Sequence, residues 1–307
     1  MIQFLEHKKI NTHKWDNCIA NSSNPCIFVY SWYLNVVCED WNALVLNDYE
    51  AVFPMVTKSK YKINYLYQPF FTRYFGLYTN KLSHKLLDDF FEAIPAKYKY
   101  MEFCLHESNH LNKTDIETKE RKYQVLNLNS SYQIMQKNYS DNAKRSIKKA
   151  IKAGYSISQT INPEQIVHLF KSTKGQKLEI FKPNDYKTLL TLMNVCIKQN
   201  KASSFAVFDT ENKLCAAAFF MKANDRFVFL KSGVTENGKV NGAMHFLFDT
   251  FIQHHAETDQ LLDFGGSSVE TVARFYKNFG AKDCVYLQVR KNNLPTLVKW
   301  IRSLKNN

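Results

Sequence analysis

Glycine and proline are scarce, 9 and 7 in 307 residues, which excludes collagen-like and linker-like chains. No run is apolar for the length that a membrane-crossing helix needs. The most apolar stretch, Pro25 to Cys38, is too short and carries Ser31 and Asn35. The opening MIQFLEHKKI has no apolar leader core, so no secretory signal is expected. Cysteine is present seven times, an odd number, scattered and never as C-x-x-C. That pattern points to reduced thiols and a cytoplasmic location, and away from a disulfide scaffold or a zinc site. Nucleophile-elbow, P-loop and dinucleotide-binding fingerprints are also missing. His254 and His255 are adjacent and therefore diverge on a helix, and no H-x-x-x-H spacing or nearby Cys joins either of them to a metal site. What remains is a chain that is 45% hydrophobic and 14% aromatic, enough to bury a sizeable core.

Arginine is rare too, 7 against 34 lysines. The net charge of +13 is unevenly placed: residues 1–120 carry 13 basic and 14 acidic side chains, and residues 121–307 carry 28 and 14. A sign asymmetry of this kind marks a division of labour within a chain.

The polar segment between Asn109 and Lys122 is the expected boundary, dividing the chain into 1–121 and 122–307. Alternation predicts a strand at Tyr123–Leu128. Helical spacing predicts a short helix at Ser131–Tyr139 and a basic one at Asp141–Ala153, stopped by Gly154. A strand at Tyr155–Gln159 follows. Asn162-Pro163 opens a helix to about Thr173, and another runs from Pro183 to Lys198. Three strands then read as a meander at Ser203–Phe208, Leu214–Met221 and Arg226–Lys231. A helix at Val240–His255, a strand at Leu261–Phe264, a helix at Val269–Asn278, a strand at Asp283–Arg290 and a final helix to Leu304 complete the order. From Tyr155 the run β-α-α-β-β-β-α-β-α-β is the element order of the GNAT acyltransferase fold. The first 120 residues give a blurred copy, with helices near Thr12–Ala20, Tyr30–Val37 and Leu82–Ala93. Its strands fall near Trp41–Leu46, Ala51–Val56, Asn64–Tyr67 and Tyr100–Leu105.

Three motifs carry a family resemblance. Asn142–Ala150 (NAKRSIKKA) resembles the N-x-x-R-x-I-x-K-A helix of FemAB-like tandem GNAT proteins. Asp263–Ser267 (DFGGS) and Phe275–Ala281 (FYKNFGA) resemble their D-F-x-G-S and F-Y-K-x-F-G-A segments. Asp48–Pro54 and Tyr65–Phe71 are similar to the group as well. The expected fold is therefore α+β: two GNAT-like domains in tandem, each a mixed, mostly antiparallel sheet flanked by helices, the N-terminal one degenerate.

The resemblance implies an acyl- or aminoacyl-transferase acting on an amine, and it supplies candidate residues. Tyr276 stands where GNAT enzymes place a tyrosine that protonates the departing thiolate, and a phenol with pKa near 10 suits that task. Lys277 is a candidate for stabilising an oxyanion or a phosphate. Asp263 reads either as a proton acceptor or as the cap of the turn that follows. Asn237–Ala243 occupies the place of the pyrophosphate loop for coenzyme A. Lys239 stands there for the usual Gln or Arg, Gly242 for the first glycine, and Val240, Asn241 and Ala243 supply backbone N–H groups. Met244 replaces the last small residue. Arg145, Lys148 and Lys149, with Lys144 and Lys152, form a basic helix face that reads as solvated or as an anion platform.

These readings predict an N-acyltransferase of bacterial type using a coenzyme A thioester and no metal. Aminoacyl-tRNA is the competing donor, supported by the charge of residues 121–307. The absence of a heptad pair long enough for a coiled-coil arm tilts the reading to the thioester. A non-catalytic module binding RNA or a phosphorylated ligand is the third reading.

Overall fold

The protein is described from a computed structural model that covers residues 1–173, 175, 180–266 and 269–296. The chain divides into two units, Met1–Arg121 together with the chain from Val285, and Lys122–Cys284. The first unit contains β1 (Ile2–Leu5), α1 (Thr12–Ala20), α2 (Ser31–Val37), β2 (Asn42–Leu46), β3 (Ala51–Met55), β4 (Thr57–Lys60), β5 (Ile63–Tyr67), β6 (Tyr78–Thr79), α3 (His84–Glu92) and β7 (Tyr98–Cys104). The second begins within β8 (Glu117–Asn127). It continues through α4 (Tyr132–Lys137), α5 (Asp141–Lys152), β9 (Ser156–Ser158), α6 (Pro163–Ser172), α7 (Pro183–Lys198), β10 (Ala202–Phe208), β11 (Leu214–Lys222) and β12 (Arg226–Val234). After these come α8 (Glu236–Val240), α9 (Ala243–His254), β13 (Leu261–Gly266), α10 (Glu270–Lys277) and the start of β14 (Lys282–Asn292).

In the first unit the order β1-β2-β3-β6 forms an antiparallel sheet. β4 pairs antiparallel with β5, and β5 runs parallel to β7. The sequence reading assigned 122–307 to one domain. In the structure the chain returns to the first unit, where Gln288–Asn292 pair antiparallel with Tyr100–Cys104. β1, β4 and β6 were not expected; each is four residues or shorter, and two carry little apolar alternation.

In the second unit the order is β8-β13-β12-β11-β10-β9. All neighbours are antiparallel except β12 and β13. The helices form where the caps lie: Ser140 accepts from the Ala143 N–H at 3.2 Å, and Asn162 from Glu164 at 3.1 Å. α5 buries Ala143, Ile147 and Ala150 and exposes its charges, as its periodicity requires. The helix expected at Val240–His255 is α9, Ala243–His254, and a short unexpected helix, α8, precedes it; Gly242 divides the two. Its φ of +76° is left-handed and cannot continue a helix. The core is aromatic: Phe220 stacks on Phe251 at 3.9 Å, and Phe248 contacts Phe229, Phe264, Phe275 and Phe279. The expected final helix to Leu304, beyond residue 296, and Ser267 of the DFGGS segment lie outside the described residues.

Candidate functional site

The second unit opens its sheet between β12 and β13. The two strands pair in parallel over only three residues, ending at Val228 opposite Asp263. Beyond that point β12 stays with β11 as far as Val234, and β13 stays with β8 as far as Gly266. Each strand has a register shift at the parting. Phe220 pairs with Phe229 and Phe219 with Lys231, which leaves Leu230 out of register. Asp263 pairs with Val125 and Gly265 with Gln124, which leaves out Phe264. A bulge bends a strand and increases its local twist, so two bulges at one level force the strands apart. The edge of β12 from Phe229 onward then faces a slot instead of a strand. Backbone N–H groups along such an edge suit a developing oxyanion.

Tyr276 lies at this slot. Its ring stacks on Phe264 at 4.8 Å and meets Phe229 edge-on at 6.2 Å, so it touches both parted strands at their bulges. α10 brings it there by burying its aromatic face: Phe275 packs on Phe248 and Phe279 on Phe264.

Asp263 has no exposed surface. One carboxylate oxygen accepts the Gly265 N–H at 3.0 Å, and the other lies 3.9 Å from the Arg226 guanidinium. Arg226 in turn meets Asp225 at 3.1 Å. A buried carboxylate already engaged with a cation and a backbone donor is a structural anchor for the end of β13. It fits the turn-capping reading and offers no proton-accepting face to solvent. Lys277, next to Tyr276, points elsewhere and pairs with Asp283 at 2.7 Å. Asp283 also accepts from Gln124 at 3.0 Å, and these two donors hold its carboxyl below the usual range.

The phosphate-loop candidates separate. Lys239 is paired with Glu236 within α8. Val240 is exposed, Asn241 donates to the Asn237 side chain at 2.8 Å, and Ala243 is buried at the start of α9. Gly242 has a packing explanation: a Cβ there would stand 2.2 Å from the Ser146 carbonyl oxygen of α5. Its lack of a side chain lets α5 lie directly against the start of α9. Arg145, Lys148 and Lys149 are exposed on α5 and form no ion pair with another described residue. The structure thus brings Tyr276 to the slot and leaves the basic face of α5 exposed while the helix itself packs against the start of α9. It leaves Lys277 and Lys239 in surface ion pairs.

The GNAT element order already implies a single parallel pair whose strands diverge to admit a ligand; it does not say at which residues they part. Two signals pointed to the place: Gly265-Gly266 inside a strand pattern, and the Phe227/Phe229 alternation broken by Leu230-Lys231. The adjacent histidines also find a plain role. His255 packs against Phe227 at 4.2 Å, and burial pushes its pKa down to about 4. Among the described residues no three His, Cys, Asp or Glu side chains gather to hold a metal.

The first unit has a corresponding parallel pair, and it is closed. β5 and β7 part after Tyr67 and Glu102. The Gln68 side chain then accepts the Cys104 N–H at 2.7 Å. The chain returns so that Phe75 donates to Cys104 at 2.8 Å and accepts from His106 at 2.6 Å. Gln68 and the buried Phe75 fill the place that is open in the second unit.

No family model and no curated protein matches the sequence. Solved structures do match in fold. The crystal structure of FemX is 12% identical, with a TM-score of 0.64 over 93% of this chain and 96% of that one. L-PGS from Bacillus licheniformis is 12% identical, with a TM-score of 0.57 and 94% of each chain covered. A tandem GNAT protein from the clavulanic acid biosynthesis pathway is 10% identical, with a TM-score of 0.54 over 96% of this chain and 100% of that one. The fold is that of FemAB-like tandem GNAT proteins. In GNAT terms, the open parallel pair of the second unit and the sealed pair of the first make the second the intact copy.

Proposed function

We propose that the protein is an N-acyltransferase that moves an acyl group from a thioester to an amine. The reading takes it as a cytoplasmic bacterial enzyme of two GNAT-like domains. The observation that carries it is the position of the Tyr276 ring, packed on Phe264 and Phe229 where β12 and β13 part. The thioester carbonyl would lie along the free edge of β12, polarised by backbone N–H groups. The amine attacks, the C–N bond forms and the C–S bond breaks, and the leaving sulfur takes its proton from the Tyr276 phenol. The surplus proton of the amine leaves through water and restores the phenol. Positioning supplies most of the rate. Asp263 fixes the end of β13, and Lys277 ties α10 to β14 through Asp283.

The test is release of free thiol from acetyl-CoA and longer acyl-CoA thioesters in the presence of a panel of amines. Turnover by the wild type that drops about 10²–10⁴-fold in Tyr276→Phe supports the reading. That variant keeps the ring stack and should stay folded. Equal turnover by both chains removes Tyr276 as the acid.

A second reading, transfer from aminoacyl-tRNA, is favoured by the unpaired cations of α5 and by Gly242, whose glycine character serves helix packing. Thermal-shift titration with acetyl-CoA, longer acyl-CoA and aminoacyl-tRNA separates the two readings. Only a ligand that binds the folded state raises the midpoint. If none binds and nothing is turned over, the chain is a binding module.

A further inference from the structure

In the first unit β4 and β5 form a hairpin at the sheet edge, joined by Tyr61 and Lys62. Both residues take a left-handed φ, +52° and +62°. A two-residue turn of this hand suits Asn-Gly, and a tyrosine or a lysine there is strained. Packing does not offset that strain, because Tyr61 is 83% exposed at the tip. The tip is also basic. Lys58, Lys60 and Lys62 are exposed, and the chain from Ala51 to Leu87 holds six basic and no acidic residues. β5 runs beside β7 with Asn64 opposite Tyr98, which brings the exposed Lys97 and Lys99 to the same end of the sheet. Lys58 lies 4.3 Å over the Tyr67 ring and Lys97 4.8 Å over that of Phe4. Such contacts orient a cation and leave its charge in place. None of the five lysines is in an ion pair with another described residue. Lysines on an edge strand deter pairing with other sheets, which accounts for Lys58 and Lys60. It does not account for Lys97 and Lys99 at the start of an inner strand, or for a ring held out on a strained turn.

We propose that the β4–β5 tip is a docking surface for an anionic phospholipid bilayer. Tyr61 enters the headgroup layer, and the five lysines face the lipid phosphates. Shape and composition favour this partner over nucleic acid. A single strand of nucleic acid takes a groove with several rings for successive bases; here one ring projects from a narrow tip. The cations are all lysines, point charges suited to a dispersed field of headgroups, with no arginine fork among them. A tyrosine at such a boundary keeps its ring in the apolar layer and its hydroxyl in water. The binding is electrostatic and falls as salt rises. It uses the first unit alone and stands apart from the acyltransferase reading.

Co-sedimentation of the full chain with vesicles tests this, phosphatidylcholine alone against phosphatidylcholine containing phosphatidylglycerol. The wild type should partition at least about tenfold more strongly to the anionic vesicles, since each lysine near such a surface adds about fivefold. Lys60→Gln/Lys62→Gln should lower that partition by about 10–30-fold. A second double variant, Tyr61→Asn/Lys62→Gly, supplies the residues that the turn geometry favours. It should raise the thermal midpoint and still weaken vesicle binding by about tenfold, so that lost binding is not lost folding. No binding to anionic vesicles, or equal partition to both kinds, overturns the proposal. So does anionic binding that survives either variant, which would place the contact elsewhere on the chain. Tighter binding to a single-stranded RNA, lost in the same two variants, also overturns it and assigns the tip to nucleic acid. The measurement needs neither donor nor turnover, so its result and that of thiol release are independent.

Discussion

Gly242 shows that a motif position can also carry a packing role. Its place before a helix, in a chain resembling GNAT proteins, implies a phosphate loop; its surroundings give it to the contact between α5 and α9. Gly242→Ala should cost about 2–4 kcal/mol, because a left-handed φ is strained with a side chain and the Ser146 carbonyl has no room to yield. Chemical denaturation measures this, and a loss below about 0.5 kcal/mol would show that α5 can move aside. Asp263 is a second case: its Arg226 and Gly265 contacts favour an anchor over a base. Neither partner is deducible from the neighbouring letters. Arg226 lies far along the chain, and Gly265 becomes a donor to the carboxylate only through the bulge.

Among the elements, α5 was the most legible. Its start, its stop and its buried face at Ala143, Ile147 and Ala150 follow from spacing alone. Local periodicity also placed α6, α7 and the β10–β12 meander to within a few residues, because each completes its pattern within a single run. β14 was legible as a strand but not in its pairing: whether it stays with the second unit or returns to Tyr100–Cys104 depends on a partner about 190 residues away in the chain. Arg145, Lys148 and Lys149 of α5, exposed and in no ion pair with a described residue, make a prediction of their own. In the double variant Lys148→Glu/Lys149→Glu, stability should change by no more than about 0.5 kcal/mol, since no packing is lost. Binding to transfer RNA should weaken, with its salt slope reduced by about 2. Nitrocellulose filter binding across a salt series reads both. An unchanged affinity and slope for RNA and for coenzyme A would leave the helix face as merely solvated.

For the whole molecule, the histidines govern acid tolerance. Burial lowers the pKa of His245 and of His255 to about 4, against 6.5 when unfolded. Above pH 6.5 both are neutral in either state and cost nothing. Between about 6.5 and 4 the unfolded chain binds protons that the folded chain refuses, so stability falls as pH falls through that window. Asp249, raised by burial although Tyr132 donates to its carboxylate, works in the opposite sense. The difference in unfolding free energy between the wild type and His245→Phe/His255→Phe isolates the histidine part. It should shift by something on the order of 2–4 kcal/mol between pH 7 and pH 4, less than the full pKa shifts imply because His255 is partly solvated. A difference that does not change with pH would mean that both rings are already wetted. The first unit was legible as a copy of the second from element order. That its slot is shut was not, because Gln68 and Phe75 are ordinary loop letters until the chain folds back on Cys104.

That closure fixes the valency of the chain. Under the acyltransferase reading, Gln68 and Phe75 stand where a ligand would, so each polypeptide offers one seat for a donor among the described residues. Occupancy within one chain then follows a simple hyperbola, and any sigmoidal response would have to arise from assembly of several copies. Under the same reading, duplication has supplied a second body without a second seat, and that body is free to change its surface without disturbing chemistry at β12 and β13.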